Sequence, residues 1–162
     1  MWMFLVALIF STTNLVVGDR AWAGIVARVV PEKQRIEIGQ ENGSFMATGM
    51  VSLYEEQNIR YFSAGVGLDE RKAIYPPFSL KCVFVSSPKP YLAHVGVTIR
   101  DQMGQVVLTV PSEQVDGPWL FVDLPKGSYS VTAKRVDGRE IARKVTVGEG
   151  RTTVVHFRWP HS

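Results

Sequence analysis

An antiparallel β-sandwich is the fold class that the sequence predicts, and three observations lead to it. From residue 79 onward, short segments of alternating apolar and polar residues recur at roughly ten-residue spacing. Turn-forming residues separate them at residues 101–104 and 124–127 and at Asp137 and Gly138. The 162 residues include one cysteine, which excludes an internal disulfide framework and every multi-cysteine metal site. The chain is therefore expected to be mainly β, with a core that holds together without disulfides.

The first 23 residues are interpreted as an export signal. Residues 3–10 form an unbroken apolar run, which is short of the about 20 residues that span a bilayer. Ala21, Trp22 and Ala23 then form the small-residue pattern of a cleavage site. We expect cleavage after Ala23 and a periplasmic or secreted location. Since no basic residue precedes the apolar run, an uncleaved anchor or a buried N-terminal strand is the alternative.

The region before residue 79 is expected to contain further strands. Residues 24–43 show some alternation and are predicted to be a flexible leader or edge strands. Residues 45–54 and 59–62 are predicted strands, with residues 55–58 as the turn between them. We expect residues 44–160 to form a single sandwich domain.

One short helix is predicted near residues 67–75. Residues 68–74 are good helix formers, and the acidic residues precede the basic ones, as the helix dipole favours. Pro76 and Pro77 must end this helix, because proline cannot continue it. Two turns of helix are thus expected on the N-terminal side of the sandwich.

The remaining strands follow from the alternation and turns after residue 79. Short hairpin connections between them favour antiparallel pairing. The predicted strands are residues 80–85, 95–99, 106–110, 118–122, 129–133, 141–147 and 152–159.

The C-terminal part resembles the carboxypeptidase regulatory-like domains of the prealbumin-like (transthyretin-like) group. The resemblance rests on residues 97–101 with Gly104, residues 124–133 and residues 145–147, and it covers about residues 90–158. It implies a prealbumin-like or Ig-like sandwich in which Tyr129 forms a tyrosine corner. It implies no ligand.

Two further comparisons with known proteins concern short motifs. Residues 65–70 and 117–119 are similar to segments of small exported proteobacterial proteins, which imply no activity. Hydroxyisourate hydrolases of the prealbumin-like group end in a tyrosine-arginine-glycine-serine tail. The present chain ends Arg158, Trp159, Pro160, His161 and Ser162, so this activity is not expected.

Candidate binding residues fall in three places along the chain. The glycine-containing segment at residues 65–70 resembles loops whose amides bind anions, and its adjacent carboxylates cannot face each other on a helix. Trp119 is either a buried anchor or an aromatic contact for a ligand. The candidates are Gly65, Gly67, Asp69, Glu70, Arg71, Trp119, Arg139, Arg143 and Lys144.

Charge is concentrated in the last strands. Residues 134–158 carry seven basic and three acidic residues, whereas the whole chain has a net charge of only +3. Basic residues on edge strands block aggregation, and they also suit an acidic partner such as an envelope polymer or an anionic membrane surface. Nucleic acid is disfavoured by the export signal and the small net charge.

Metal binding and thiol chemistry are not expected. Alternation places His94 and His156 on the outward side of two strands, and His161 lies in the terminal tail. A metal site needs three or four ligands, so exposed, unliganded histidines are the better interpretation. Cys82 lies in a strand-like stretch without a nearby histidine, which is typical of an inert core cysteine. No cofactor is predicted.

The sequence therefore predicts an exported binding or accessory module of the cell envelope, without catalytic activity and with an unknown protein or polymer partner. A small-molecule or carbohydrate-binding domain, or a weak hydrolase, with a site near residues 69–71 and Trp119 is the first alternative. A purely structural domain that forms homodimers through sheet edges is the second. The oligomeric state does not follow from the sequence.

Overall fold

The computed structural model describes residues 24–87 and 91–160, so the export signal predicted for residues 1–23 lies outside the described residues. In chain order the strands of the described part are β1 (Ile25–Val30), β2 (Arg35–Asn42), β3 (Ser44–Ser52), β4 (Tyr54–Glu56), β5 (Ile59–Ala64), β6 (Leu80–Ser86), β7 (Gly96–Arg100), β8 (Val106–Val110), β9 (Trp119–Val122), β10 (Gly127–Lys134), β11 (Glu140–Val147) and β12 (Thr153–Trp159). Helix α1 (Leu68–Lys72) lies between β5 and β6, and 3-10 turns occur at Pro31–Lys33 and Ser112–Gln114. The prediction of a mainly β chain with one short α-helix is confirmed.

Two of the three sheets form the predicted sandwich. The four-stranded sheet has the order β11-β10-β7-β8, and the five-stranded sheet has the order β12-β6-β9-β5-β4. Alternate residues of each strand face the partner sheet and form one apolar core, in which Phe84 and Phe157 are fully buried with ring centroids 5.8 Å apart. Each such side chain contributes about 1.5–3 kcal/mol through its burial.

A third layer covers part of the outer face of the five-stranded sheet. It is a three-stranded sheet with the order β1-β2-β3, so residues 24–43 form its first two strands. Ile36 and Ile38 of β2 are buried in a second core together with Phe62 of β5 and Phe121 of β9. The five-stranded sheet is thus buried on both faces along β5 and β9.

Helix α1 is shorter than the predicted helix near residues 67–75. It ends at Lys72, and Ala73 is extended. Ile74 instead donates its amide to the Ile25 carbonyl at 2.9 Å and accepts the Ala27 amide at 2.9 Å. This bridge to β1 supplies backbone hydrogen bonds that compete with a second helical turn.

Strand pairing departs from the expected antiparallel pattern at one place. All other strand pairs in the described part of the chain are antiparallel, but β12 runs parallel to β6, with Phe157 opposite Phe84. The preceding strand, β11, belongs to the other sheet, so the chain crosses between sheets after residues 148–150 and no hairpin forms there. A parallel pair needs such a crossover connection.

Tyr129 forms the predicted tyrosine corner, since its hydroxyl donates a hydrogen bond to the Pro125 carbonyl at 2.8 Å. Burial raises the pKa of this phenol, so it remains a donor at neutral pH. We expect Tyr129→Phe to lower the free energy of unfolding by about 0.5–1.5 kcal/mol, the net value of one hydrogen bond. Urea denaturation measures this change. Tyr54→Phe is the matched control, because the Tyr54 hydroxyl has no hydrogen bond within the described residues, and equal effects of both changes would contradict the role of the corner.

Candidate functional site

Part of the outer face of the five-stranded sheet is left uncovered by the three-stranded sheet. The outward residues of β12, Val154, His156 and Arg158, are exposed there. Because β12, β6 and β9 are neighbours, their outward side chains form one continuous surface. We call this surface the aromatic groove, and it has a volume of about 430 Å³. It is lined by Lys81, Val83, Val85, Tyr91, Trp119, Val154, His156 and Arg158.

Lys81 lies over the Trp119 ring in the aromatic groove. Its ammonium is 3.4 Å from the centroid of the Trp119 ring and 5.0 Å from that of Phe121. Both distances are within the range of cation–π attraction. Burial against these rings lowers the pKa of Lys81, because the charged form loses hydration. The groove thus contains a cation that is only partly compensated by the protein.

Arg71 and Tyr91 form the rim next to Trp119. The Arg71 guanidinium lies 5.2 Å from the centroid of the Tyr91 ring. It is held in place by hydrogen bonds to the carbonyls of Gly65 and Val66, each at 2.9 Å. Two sequence candidates that are far apart in the chain, Arg71 and Trp119, therefore lie at the same site.

Two amides of the loop before α1 are bonded inside the protein. The Glu70 carboxylate accepts the amides of Gly65 at 2.7 Å and Val66 at 3.0 Å. Gly67 is the N-cap residue of α1, and its carbonyl accepts the Arg71 amide. The amides of Gly65 and Val66 are thus not open to an external anion.

The two neighbouring carboxylates of α1 serve separate local contacts. Asp69 accepts a hydrogen bond from the Thr48 hydroxyl of β3 at 3.2 Å, while Glu70 caps the loop. Because each acid binds a different part of the protein, they do not form an acid–base pair.

Two glycines hold Trp119 at its place in the aromatic groove. Gly65 has a φ of +98°, and a Cβ atom there would lie 2.9 Å from the Trp119 ring. A Cβ atom on Gly117 would meet the Ala64 backbone, with 2.7 Å to its carbonyl carbon. The motifs at residues 65–70 and 117–119 are therefore in contact, and each needs glycine so that the backbones can approach.

At the turn between β10 and β11, part of the positive charge that the sequence indicates is neutralised by Asp137. Asp137 forms ion pairs with Arg139 at 2.9 Å and Arg135 at 3.1 Å, and the hydrogen bond from Arg139 lowers the pKa of Asp137. Arg143 donates to the Ala142 carbonyl. Lys144 instead lies in a recess of the four-stranded sheet, outside the aromatic groove.

Sequence reasoning missed Lys81 and Arg158 as members of a site. The signal was the alternation along β6 and β12, which places these residues on the side opposite the buried Cys82 and Phe157. What the alternation did not show was the pairing of β6 with β9, which sets Val83 opposite Trp119.

The titratable groups of the described residues do not form a metal cluster or a reactive thiol. Among residues 24–87 and 91–160, no three His, Cys, Asp or Glu side chains lie close enough to hold one metal ion. Cys82 is fully buried, and burial raises the pKa of its thiol, which disfavours the thiolate. Within the same residues, no helix is long and apolar enough to cross a membrane.

Comparisons with known proteins give only distant likenesses. No family profile matches the chain, and no curated protein matches it. Among solved structures, a major pilin subunit of Bacillus cereus is 13% identical with a TM-score of 0.36 over 76% of this chain and 36% of the pilin. A minor pilin of Streptococcus agalactiae is 15% identical with a TM-score of 0.39 over 78% of this chain and 68% of the pilin.

This chain thus spans about a third of the Bacillus pilin. At these identities and scores neither pilin indicates a function for it. The resemblance to carboxypeptidase regulatory-like domains and to exported proteobacterial proteins remains a prediction, while the β-sandwich itself is evident from the sheets.

Proposed function

We propose that this protein is a non-catalytic binding module of the cell envelope, which binds an acidic, aliphatic segment of a partner protein in the aromatic groove. The single observation that carries the proposal is the half-buried Lys81 ammonium over Trp119 in a solvent-open groove lined by valines and basic side chains. An acidic group beside Lys81 restores the electrostatic stabilisation that burial removes. The export signal predicted for residues 1–23 supports the location.

The charge of the groove favours an acidic partner. Lys81, His156 and Arg158 line it, and its lining residues include no carboxylate. Arg71 adds a further cation at the rim. Complementary charge both steers association and selects against basic partners.

The apolar part of the groove favours a protein segment. Val83, Val85 and Val154 also line the groove, and Val154 is 51% exposed. Aliphatic side chains on a solvent-open face match alternating apolar side chains of an extended peptide better than they match a sugar.

Carbohydrate binding at Trp119 is the weaker candidate. Sugar rings stack on free aromatic faces, but Lys81 already lies over the Trp119 ring. Stacking would require Lys81 to leave this contact. The homodimer alternative predicts a concentration-dependent mass in size-exclusion chromatography, because β12 is an edge strand of its sheet.

The absence of catalysis is supported by the arrangement of the reactive groups. Glu70 is bonded to loop amides, Asp69 to Thr48, and the Cys82 thiol is buried. A nucleophile next to a base is the minimum for covalent catalysis. Glu70 and Cys82 have no such neighbour among the hydrogen bonds of the described residues, and the Thr48 hydroxyl beside Asp69 also contacts the Ile38 carbonyl at 3.3 Å.

Lys81→Glu is expected to weaken binding of an acidic peptide at least about tenfold, or about 1.4 kcal/mol. The probe is a labelled synthetic peptide that alternates Glu and Val, and fluorescence anisotropy measures its dissociation constant. A peptide alternating Lys and Val should bind the wild type weakly and the variant better. Circular dichroism shows whether the variant is folded, and Lys81→Gln tests the loss of charge alone.

Lys126→Glu is the matched control, since Lys126 is exposed and outside the aromatic groove. It makes the same change in net charge and should alter the dissociation constant less than about twofold, because exposed charges are screened by salt. Equal losses in both variants, or equal affinity for the acidic and basic peptides, would overturn the proposal.

The location is tested separately by fractionating cells that express the complete chain. We expect the protein in the periplasmic or secreted fraction, with Gly24 as its first residue by N-terminal sequencing. An intact N-terminus in the cytoplasmic fraction would contradict export without bearing on the groove.

A further inference from the structure

The outer face of the four-stranded sheet is rich in hydroxyl groups. Along β7, β8, β10 and β11 most inward positions are aliphatic, and the outward positions alternate with them. We call this surface the hydroxyl face. Its hydroxyl-bearing residues are Thr98, Thr109, Ser128, Ser130, Thr132 and Thr146.

Strand register arranges these residues in rows across the sheet. Thr132, Thr98 and Thr109 are opposite one another on three adjacent strands. Ser128 is opposite Thr146, and their hydroxyl oxygens are 2.9 Å apart. Directly opposite side chains are about 4.5–5.5 Å apart at Cβ, so the rows offer a regular array of donors and acceptors.

One row places a hydroxyl between two cations. Ser130 is opposite Arg100 on one side and opposite Lys144 on the other. Since adjacent strands are about 4.8 Å apart, the two basic residues stand about 10 Å apart across the sheet. The Lys144 ammonium makes no hydrogen bond or ion pair with the described residues, and the side chain is exposed.

The row opens into a recess of about 540 Å³. The charged groups that line it are Arg100, Lys144 and Asp101, two positive and one negative, so the net charge of the lining is +1. One Asp101 oxygen accepts the amides of Met103 and Gln105, both at 2.9 Å, and the Arg100 guanidinium donates to the Gly104 carbonyl at 3.0 Å. The net charge favours an anionic ligand.

We propose that the hydroxyl face binds an acidic polysaccharide, with its carboxylates on Arg100 and Lys144 and its hydroxyls on the serine and threonine rows. A guanidinium binds a carboxylate through two parallel hydrogen bonds, and a lysine supplies a point charge. The spacing of the two cations is comparable with a disaccharide repeat. This site is on the sheet opposite the aromatic groove, and it does not depend on the function proposed there.

Lys144→Gln is expected to raise the dissociation constant for alginate oligosaccharides at least tenfold, as measured by isothermal titration calorimetry on the full-length protein. Arg143→Gln is the matched control: it removes the same charge from the neighbouring residue, which alternation places on the other side of β11. Arg143→Gln should change the dissociation constant for alginate oligosaccharides less than twofold. Ser130→Ala keeps the charge and should weaken binding several-fold, because it removes one hydroxyl of the row, and unchanged binding would overturn the role of the hydroxyl rows.

Three probes and one cross-check decide the outcome. Binding of alginate but not of neutral dextran supports the proposal, and weaker binding of dextran sulfate shows a preference for carboxylates over sulfates. No saturable binding of alginate, equal binding of dextran, or equal effects of Lys144→Gln and Arg143→Gln would overturn it. Lys81→Glu should leave alginate binding unchanged, so failure here and failure of the aromatic groove are distinguishable.

Discussion

Phe62→Ala is expected to lower the free energy of unfolding by about 3–5 kcal/mol, the cost of truncating a buried phenylalanine. Phe62 is fully buried between the five-stranded and three-stranded sheets. Its ring stacks on Phe121 with centroids 4.7 Å apart and meets the edge of Phe78 at 4.9 Å. The cavity left by alanine would remove the centre of this aromatic cluster.

Urea denaturation followed by tryptophan fluorescence measures the loss, and amide hydrogen exchange shows where it occurs. Exchange should accelerate most in β1, β2 and β3, because their apolar side chains pack on the cluster. Met46→Ala is the control, since Met46 lies on β3 with 68% of its side chain exposed. A loss below about 1 kcal/mol in Phe62→Ala would show that the third layer is not held by this core.

Most strands of the sandwich were predictable because one face of each is solvent-exposed. Val131 and Ala133 of β10 are buried, whereas Thr132 between them is not. The same alternation, together with Asp137 and Gly138 at the turn, predicts the hairpin that joins β10 to β11. In this hairpin the alternation of apolar and polar residues in the sequence matches the alternation of buried and exposed residues in the structure. The periodicity is therefore enough to predict the strands.

The third layer was less predictable because β5 is buried on both faces. Tyr61 faces the sandwich core and Phe62 the second core, so the strand does not alternate in burial. Only contacts distant in the chain, such as Ile36 with Phe62, decide that residues 24–52 form a sheet here. Local residue patterns do not contain that information.

The candidate site was predicted in part. One alternative placed residues 69–71 and Trp119 at a single site, and in the structure Arg71 and Trp119 both lie near Tyr91. Lys81 was missed because a lysine on an outward strand position usually indicates exposure to solvent. Its half-buried position depends on the pairing of β6 with β9, which a single sequence does not reveal.

Gly117→Ala is expected to lower the free energy of unfolding by about 1–3 kcal/mol, the typical cost of overpacking, and to weaken the aromatic groove as well. The added Cβ atom would lie 2.7 Å from the carbonyl carbon of Ala64. That neighbour is backbone within β5, so relief requires the chain before Trp119 to move. Because Trp119 lies under Lys81, this movement should also raise the dissociation constant of the acidic peptide.

Gly49→Ala is the matched control for this change. A Cβ atom on Gly49 meets nothing within 4 Å, and its φ is not positive, so alanine should be neutral or slightly stabilising through the unfolded chain. Urea denaturation and peptide anisotropy on both variants separate the two effects. Equal free energies of unfolding for Gly117→Ala and Gly49→Ala would contradict the prediction, because the contact between the new Cβ atom and Ala64 would then not destabilise the fold. If it lost stability but bound the peptide normally, the position of Trp119 would not matter for the groove.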